Sequence, residues 1–213
     1  MSRCCREDLA MSVTEARTSL PVILGSSSKF RAKILKSHNV EFTTLKPDID
    51  EKAVAGRADA NGPSQVCLAV AKAKADALVA QVQGQHVLVV TCDQVVAWEG
   101  GVREKPENEE MCREYLRSYA NAPAETHSAV VVTNTKTGKQ VHGVDVAQQY
   151  FAPIPTPVIN GLISKGDVMH CCGGFMIDDP LLEPYLLKRE GDEDSIIGMP
   201  MRLLMRLLKE AET

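Results

Sequence analysis

One carboxylate stands out by its position. Asp93 lies in the stretch His86–Val96, HVLVVTCDQVV, where it closes the apolar run opened by Val87–Val90. A carboxylate at the end of a buried strand is costly without a partner. Catalytic groups of α/β proteins gather at such strand ends. Gln94 follows it. After a turn at Glu99-Gly100-Gly101, Arg103-Glu104-Lys105-Pro106 brings an arginine and a lysine back toward that strand end. A second stretch, Leu24–Leu35, reads LGSSSKFRAKIL. Gly25 permits a turn, and Ser26, Ser27 and Ser28 can cap the helix behind it. The amides of a helix start hold anions, and Lys29, Arg31 and Lys33 add positive charge. The same serines serve equally as plain caps, so both readings stand. A third stretch, Asp48-Ile49-Asp50-Glu51, is either a solvated acidic helix start or a set of ligands for a divalent metal or a hydrolytic water. Lys72 and Lys74 lie two apart on one helix and so point to different faces; at most one of them meets a site.

The elements that must position these groups follow from periodicity. Residues 21–25 form a strand and 28–38 a helix, with Asn39 as its stop. Val40–Leu45 alternates as a short strand. A helix runs from Pro63 to about Val82, a central strand over His86–Val96, and an amphipathic helix over Glu107–Tyr119. Thr126–Asn134 and Gln140–Tyr150 form a long hairpin. A helix at Val158–Ser164, a turn at Gly173-Gly174, a loop at Ser195–Gly198 and a last helix from Pro200 to about Ala211 complete the chain. Strands and helices alternate early and a hairpin follows, which predicts an α/β fold with a mixed central sheet flanked by helices.

The bulk properties narrow the function. The chain has 213 residues and a formal net charge of -4, so no general basic field for nucleic acid exists and any phosphate site is a local cluster. No apolar run approaches a membrane span. Residues 1–20 are polar and aperiodic, read as a tail without the apolar core of a secretory signal; Met11 is a candidate alternative start. The seven cysteines include the adjacent pairs Cys4-Cys5 and Cys171-Cys172 and no CxxC spacing, which points to reduced thiols in the cytoplasm. The histidines lack ligand spacing, His170 beside Cys171 and Cys172 reads as structural, and Trp98 reads as packing.

Taken in order, these segments resemble the Maf family of septum-formation-inhibitor-like proteins. The resemblance rests on Gly25–Arg31, Pro47–Glu51, Leu68–Ala75, Cys92–Val96, Lys105-Pro106, Gly173-Gly174 and Gly198-Met199-Pro200, spanning about residues 22–208 within a domain of 21–213. It implies two lobes with a cleft between them. It implies a nucleoside triphosphate pyrophosphatase that clears unwanted nucleotides, with Asp93 as base. Ser26, Arg31, Lys72 and Lys105 would hold the triphosphate, and Asp50 or Glu51 would help bind Mg²⁺ or Mn²⁺. It also suggests a homodimer. The chain departs from the family at Phe30, Gln94 and Asp178, which fall at base-specificity positions. This set of aromatic, amide and acid resembles the 7-methyl-GTP branch more than the branch acting on dTTP and UTP, though that branch usually carries Trp and Glu at the first and last. A 7-methylguanine ring is cationic, which suits an aromatic face and a carboxylate. A non-enzymatic regulator of cell division is disfavoured by the intact acids and lysines; a third reading, a phosphate-binding sensor, predicts tight nucleotide binding without turnover.

Overall fold

The computed structural model describes residues 18–54 and 62–213. Most of the expected N-terminal tail, residues 1–17, lies outside the described residues. Among the described residues seven strands form one mixed sheet: β1 (Val22–Gly25), β2 (Thr43–Thr44), β3 (Leu88–Trp98), β4 (Gly101–Arg103), β5 (Ala124–Asn134), β6 (Gln140–Phe151) and β7 (Leu186–Glu190). The order across the sheet is β2-β1-β3-β5-β6-β7, and β4 pairs with β3. β1 lies parallel to β2 and β3, and the remaining pairings are antiparallel.

Among the described residues six α-helices cover the sheet: α1 (Lys29–Ser37), α2 (Pro63–Gln81), α3 (Glu109–Ser118), α4 (Thr156–Lys165), α5 (Glu193–Ile197) and α6 (Met201–Glu212). Strand side chains alternate between the two faces. On one face Leu24, Leu88, Val90, Val130 and Val132 pack with Leu35 of α1 and with Leu203, Leu204 and Leu207 of α6. On the other, Val95, Ala129 and Val131 meet Cys67, Ala71 and Ala75 of α2. A third cluster gathers α3, α4 and the far ends of β3 and β6 around Tyr119, Phe151 and Phe175, whose rings lie 5.4 to 5.5 Å apart.

Several expectations change in physical detail. Asp93 is not at a strand end: β3 continues to Trp98 and the carboxylate sits mid-strand. The expected strand Val40–Leu45 shrinks to Thr43–Thr44, an exposed outer strand paired only with β1. The expected loop Ser195–Gly198 is largely helical, as the end of α5. β7 was not expected; it is an outer strand whose Lys-Arg-Glu stretch carries no apolar alternation. Gly25 is needed less for a turn than for closeness. A Cβ there would lie 2.3 Å from Leu78 Cδ1 and 2.7 Å from Thr91 Cγ2, so the glycine lets α2 sit on β1 and β3.

Candidate active site

β3 is paired with β5 along nearly its whole length, but its other edge is interrupted. β1 ends opposite Thr91, where Gly25 is the last paired residue, and antiparallel β4 ends at Arg103 opposite Val96. Between them, Cys92–Val95 have no strand neighbour on that side among the described residues. A cavity of about 1330 Å³ opens at this gap, lined by the serine turn, residues 46–52, Lys74, Asp93, Gln94, Lys105 and the 170–178 segment.

The serine turn is built as capping chemistry requires. Ser28 caps α1, its Oγ accepting from the Arg31 amide, and Ser26 Oγ accepts from the Ser28 amide. Arg31 reaches across the gap. Its Nε donates to Gly198 O at 3.0 Å, and its Nη1 donates to Cys92 O at 3.1 Å and Ser26 Oγ at 3.2 Å. Among the described residues Nη2 has no partner. Burial works to lower the guanidinium pKa, but the surrounding Cys92, Asp93, Cys172 and Glu51 outweigh it and the net shift is upward; the charge is secure.

Asp93 is 9% exposed and Lys74 5%. Lys74 Nζ donates to Asp93 Oδ1 at 2.8 Å and pairs with Glu51 Oε1 at 2.9 Å. Burial pushes the Asp93 carboxyl up, against the pull of Lys74 and Arg31. Burial also acts upward on Glu51, but Lys74, Lys105 and Arg31 prevail and hold it below its ordinary range. Asp93 Oδ2 has no protein partner among the described residues and is not sealed from solvent. The result is a carboxylate fixed through one oxygen, open at the other, and raised in pKa by its burial. Those are the attributes of a general base.

The other expected residues divide. Ser26, Phe30, Arg31, Asp50, Glu51, Asp93, Gln94, Lys105 and Asp178 all line the cavity. Phe30 is half-buried and joins none of the apolar clusters formed by the described residues. Asp178 is exposed. The Gln94 amide is spoken for: Nε2 donates to Ser128 Oγ at 3.0 Å, Ser195 O at 2.9 Å and Ile196 O at 3.3 Å, which leaves Oε1 as an acceptor. Lys72 does not line the cavity. It lies on another face of α2, where its charge reaches His142 of β6. The lysine that meets Asp93 is Lys74, and helix geometry decides between the two: Val70, Ala71, Lys74, Ala75 and Leu78 form the buried stripe of α2. Arg103 also points elsewhere. Its guanidinium lies 4.3 Å from the Trp98 ring and 4.6 Å from that of Tyr115, so Trp98 is packing, as expected. Lys46 lines the cavity without having been singled out, and Cys172, read only as one of an adjacent pair of reduced thiols, lines it too; a lysine before a proline and a thiol in a turn carry no signal of a site.

The donors do not form a preformed metal cage. Asp50 spends an oxygen on the Lys52 amide, and Glu51 and Asp93 already share the Lys74 ammonium. Among the described residues no group of three His, Cys, Asp or Glu side chains is arranged to hold an ion. Such a set fits a divalent ion that keeps most of its waters and arrives bound to phosphates.

With this geometry in view, comparison with known proteins is decisive for ancestry. The family model described as Maf-like protein matches residues 21–211. The chain belongs to the Maf-like family. A Dictyostelium discoideum relative named 7-methyl-GTP pyrophosphatase is 40% identical over 199 residues, covering 91% of this chain and 98% of its own. A Salinispora tropica relative named nucleoside triphosphate pyrophosphatase is 29% identical over 198 residues, covering 90% and 85%. A Chlamydia trachomatis relative named dTTP/UTP pyrophosphatase is 29% identical over 191 residues, covering 89% and 93%. In the Maf-like chain, no helix among the described residues is long and apolar enough to cross a membrane, and the described cysteines are free thiols.

Proposed function

We propose that this chain hydrolyses nucleoside 5′-triphosphates to the monophosphate and pyrophosphate, with 7-methyl-GTP as preferred substrate, in nucleotide house-cleaning. The observation that carries the reading is Asp93: buried, held by Lys74 at 2.8 Å, raised in pKa and open at its second oxygen on a cavity lined by lysines. Asp93 takes a proton from water as the water oxygen attacks the α-phosphorus. The bond from that phosphorus to the bridging oxygen breaks, and pyrophosphate leaves with the electron pair. Lys105 and the free Nη2 of Arg31 neutralise the phosphates, the Ser26 hydroxyl donates a hydrogen bond to them, and charge placed in advance lowers the barrier. The triphosphate would carry its Mg²⁺ or Mn²⁺ into the cavity as part of the substrate. Glu51 and Asp50 are the carboxylates that would meet it, and its chemistry there is neutralisation of phosphate charge.

Base preference follows from three side chains. The Phe30 ring offers a face to the cationic 7-methylguanine. Asp178 and Gln94 Oε1 accept hydrogen bonds, which suits the ring NH and amino group of guanine; uracil brings one NH and no positive charge. The 40% identical relative's name agrees with this branch. A cytoplasmic homodimer belongs to the same reading and rests on family resemblance, with the free thiols agreeing with a reducing compartment.

The test is a panel of 7-methyl-GTP, GTP, UTP, CTP and dTTP with Mg²⁺, scored as kcat/KM for pyrophosphate release. The expected order puts 7-methyl-GTP first, and Asp93→Asn lowers turnover about 10²–10⁴-fold. Preference for UTP would overturn the substrate. Turnover in Asp93→Asn within about threefold of the parent would remove Asp93 as base, and no hydrolysis of any nucleotide would favour the non-enzymatic regulator.

A further inference from the structure

Along the interrupted edge of β3, alternate residues aim their backbone groups outward. Leu88 begins the series, its amide donating to Pro21 O at 2.9 Å, and Val96 and Trp98 end it against β4. Cys92 and Gln94 have the same parity and fall in the gap. An edge carbonyl without a partner is costly when water is excluded. Arg31 Nη1 meets Cys92 O at 3.1 Å. The Cys172 thiol meets Gln94 O, its Sγ lying 3.3 Å from that oxygen. Asp93 is the residue between the two.

We propose that Cys172 is a positioning residue for the hydrolytic reaction: with Arg31 it replaces the missing strand and clamps the backbone on either side of Asp93. The placement of the thiol is built into the fold. Gly173 has φ +71, and a Cβ there would lie 2.8 Å from both Val96 Cγ1 and the Tyr119 hydroxyl. Its amide donates to Glu104 O at 3.0 Å, and its carbonyl accepts from Tyr119 Oη at 2.8 Å. The turn is thereby pressed onto β3, which sets the neighbouring thiol against Gln94 O. Burial, then Asp93, push the Cys172 thiol up, so it stays protonated and donates. A thiol is a weak donor, but the group it holds is the backbone of the base's own strand.

This inference rests on Asp93 being the base, so one readout must not depend on turnover. Cys172→Ala and Cys172→Ser are compared with the parent in kcat and KM for 7-methyl-GTP, and in the carboxyl ¹³C titration of Asp93. Cys172→Ala is expected to lower kcat about three- to tenfold, the loss of one neutral hydrogen bond, with KM within about twofold, and to move the Asp93 titration. Cys172→Ser restores the donor and returns both values toward the parent. Parent-like kcat and titration in Cys172→Ala would overturn the proposal. So would a serine variant as impaired as the alanine, which would mean that the sulfur only fills space. If the parent hydrolyses no nucleotide, the pyrophosphatase reading fails by itself, and the titration still decides whether the thiol positions Asp93.

Discussion

Replacing Lys74 by methionine keeps the apolar stem that packs in α2 and removes only the ammonium. The ammonium is nearly sealed from water and joins Asp93 at 2.8 Å to Glu51 at 2.9 Å. Breaking a fully buried pair from one side costs about 3–5 kcal/mol. Glu51 has a side chain 55% exposed, so water replaces its partner and its share is small. Asp93 is buried, but it can retreat by taking up a proton. The expected loss is therefore at the lower end, about 3 kcal/mol, or a fall in Tm of about 6–12 °C for a chain of this size. The same retreat has a kinetic signature. With Lys74 gone, burial and Glu51 act on Asp93 with less opposition, its pKa rises further, and the acid limb of the kcat/KM profile moves to higher pH. Calorimetry and a pH–rate profile read the two effects separately. Lys72→Met is the control: on its other face of the helix it should change stability by no more than about 0.5 kcal/mol and leave the acid limb in place. The reasoning is refuted if Lys74→Met keeps both the parent Tm and the parent acid limb, or if the two lysine variants behave alike.

Two further outcomes concern the scaffold. Gly25→Ala puts a methyl 2.3 Å from Leu78 Cδ1; overpacking of this kind costs about 1–3 kcal/mol in chemical denaturation, and adding Leu78→Ala should recover part of it, whereas independent losses would show that the two do not touch. His127, with Ser64 Oγ 2.8 Å from its Nδ1, is lowered below 6.5 by burial despite Glu125, so the folded state binds fewer protons than the unfolded. Stability should fall as pH drops through about 6.5, and His127→Asn should flatten that limb; Asp93, shifted upward, works with the opposite sign and cannot mimic it.

How far the sequence could be read depended on the kind of signal each element carries. The buried strands and the long helices were legible because burial leaves a period: Val87–Val90 reads as a central strand, and Leu203, Leu204 and Leu207 read as one face of α6. β7 and α5 left none, since the first is charged and exposed and the second is five residues long. Yet α5 supplies the Ser195 and Ile196 carbonyls that hold the Gln94 amide. Backbone acceptors have no residue type, so nothing in the chain could announce them. Lys74 was legible in principle. It is a charge within the stripe Val70, Ala71, Ala75 and Leu78, where a lysine is tolerated only with a partner, and Asp93 is that partner.

The same contrast explains why the carboxylate sits in the middle of a strand. A base must be held rigidly and yet reached by water and substrate. Full pairing on both edges would give rigidity and close the approach; a loop would give approach and lose the rigidity. β3 meets both demands because β1 must stop at Gly25 for the chain to turn into α1, while β4, running back from the hairpin at Glu99-Gly100 with φ 48 and 81 there, ends at Arg103 opposite Val96. The opening between them is a consequence of topology. The carbonyls it exposes are met by Arg31 and Cys172, which arrive from the two segments that also wall the cavity. Rigidity at Asp93 therefore depends on the cavity walls being in place, and a substitution that loosens either wall should weaken the base before it unfolds the sheet.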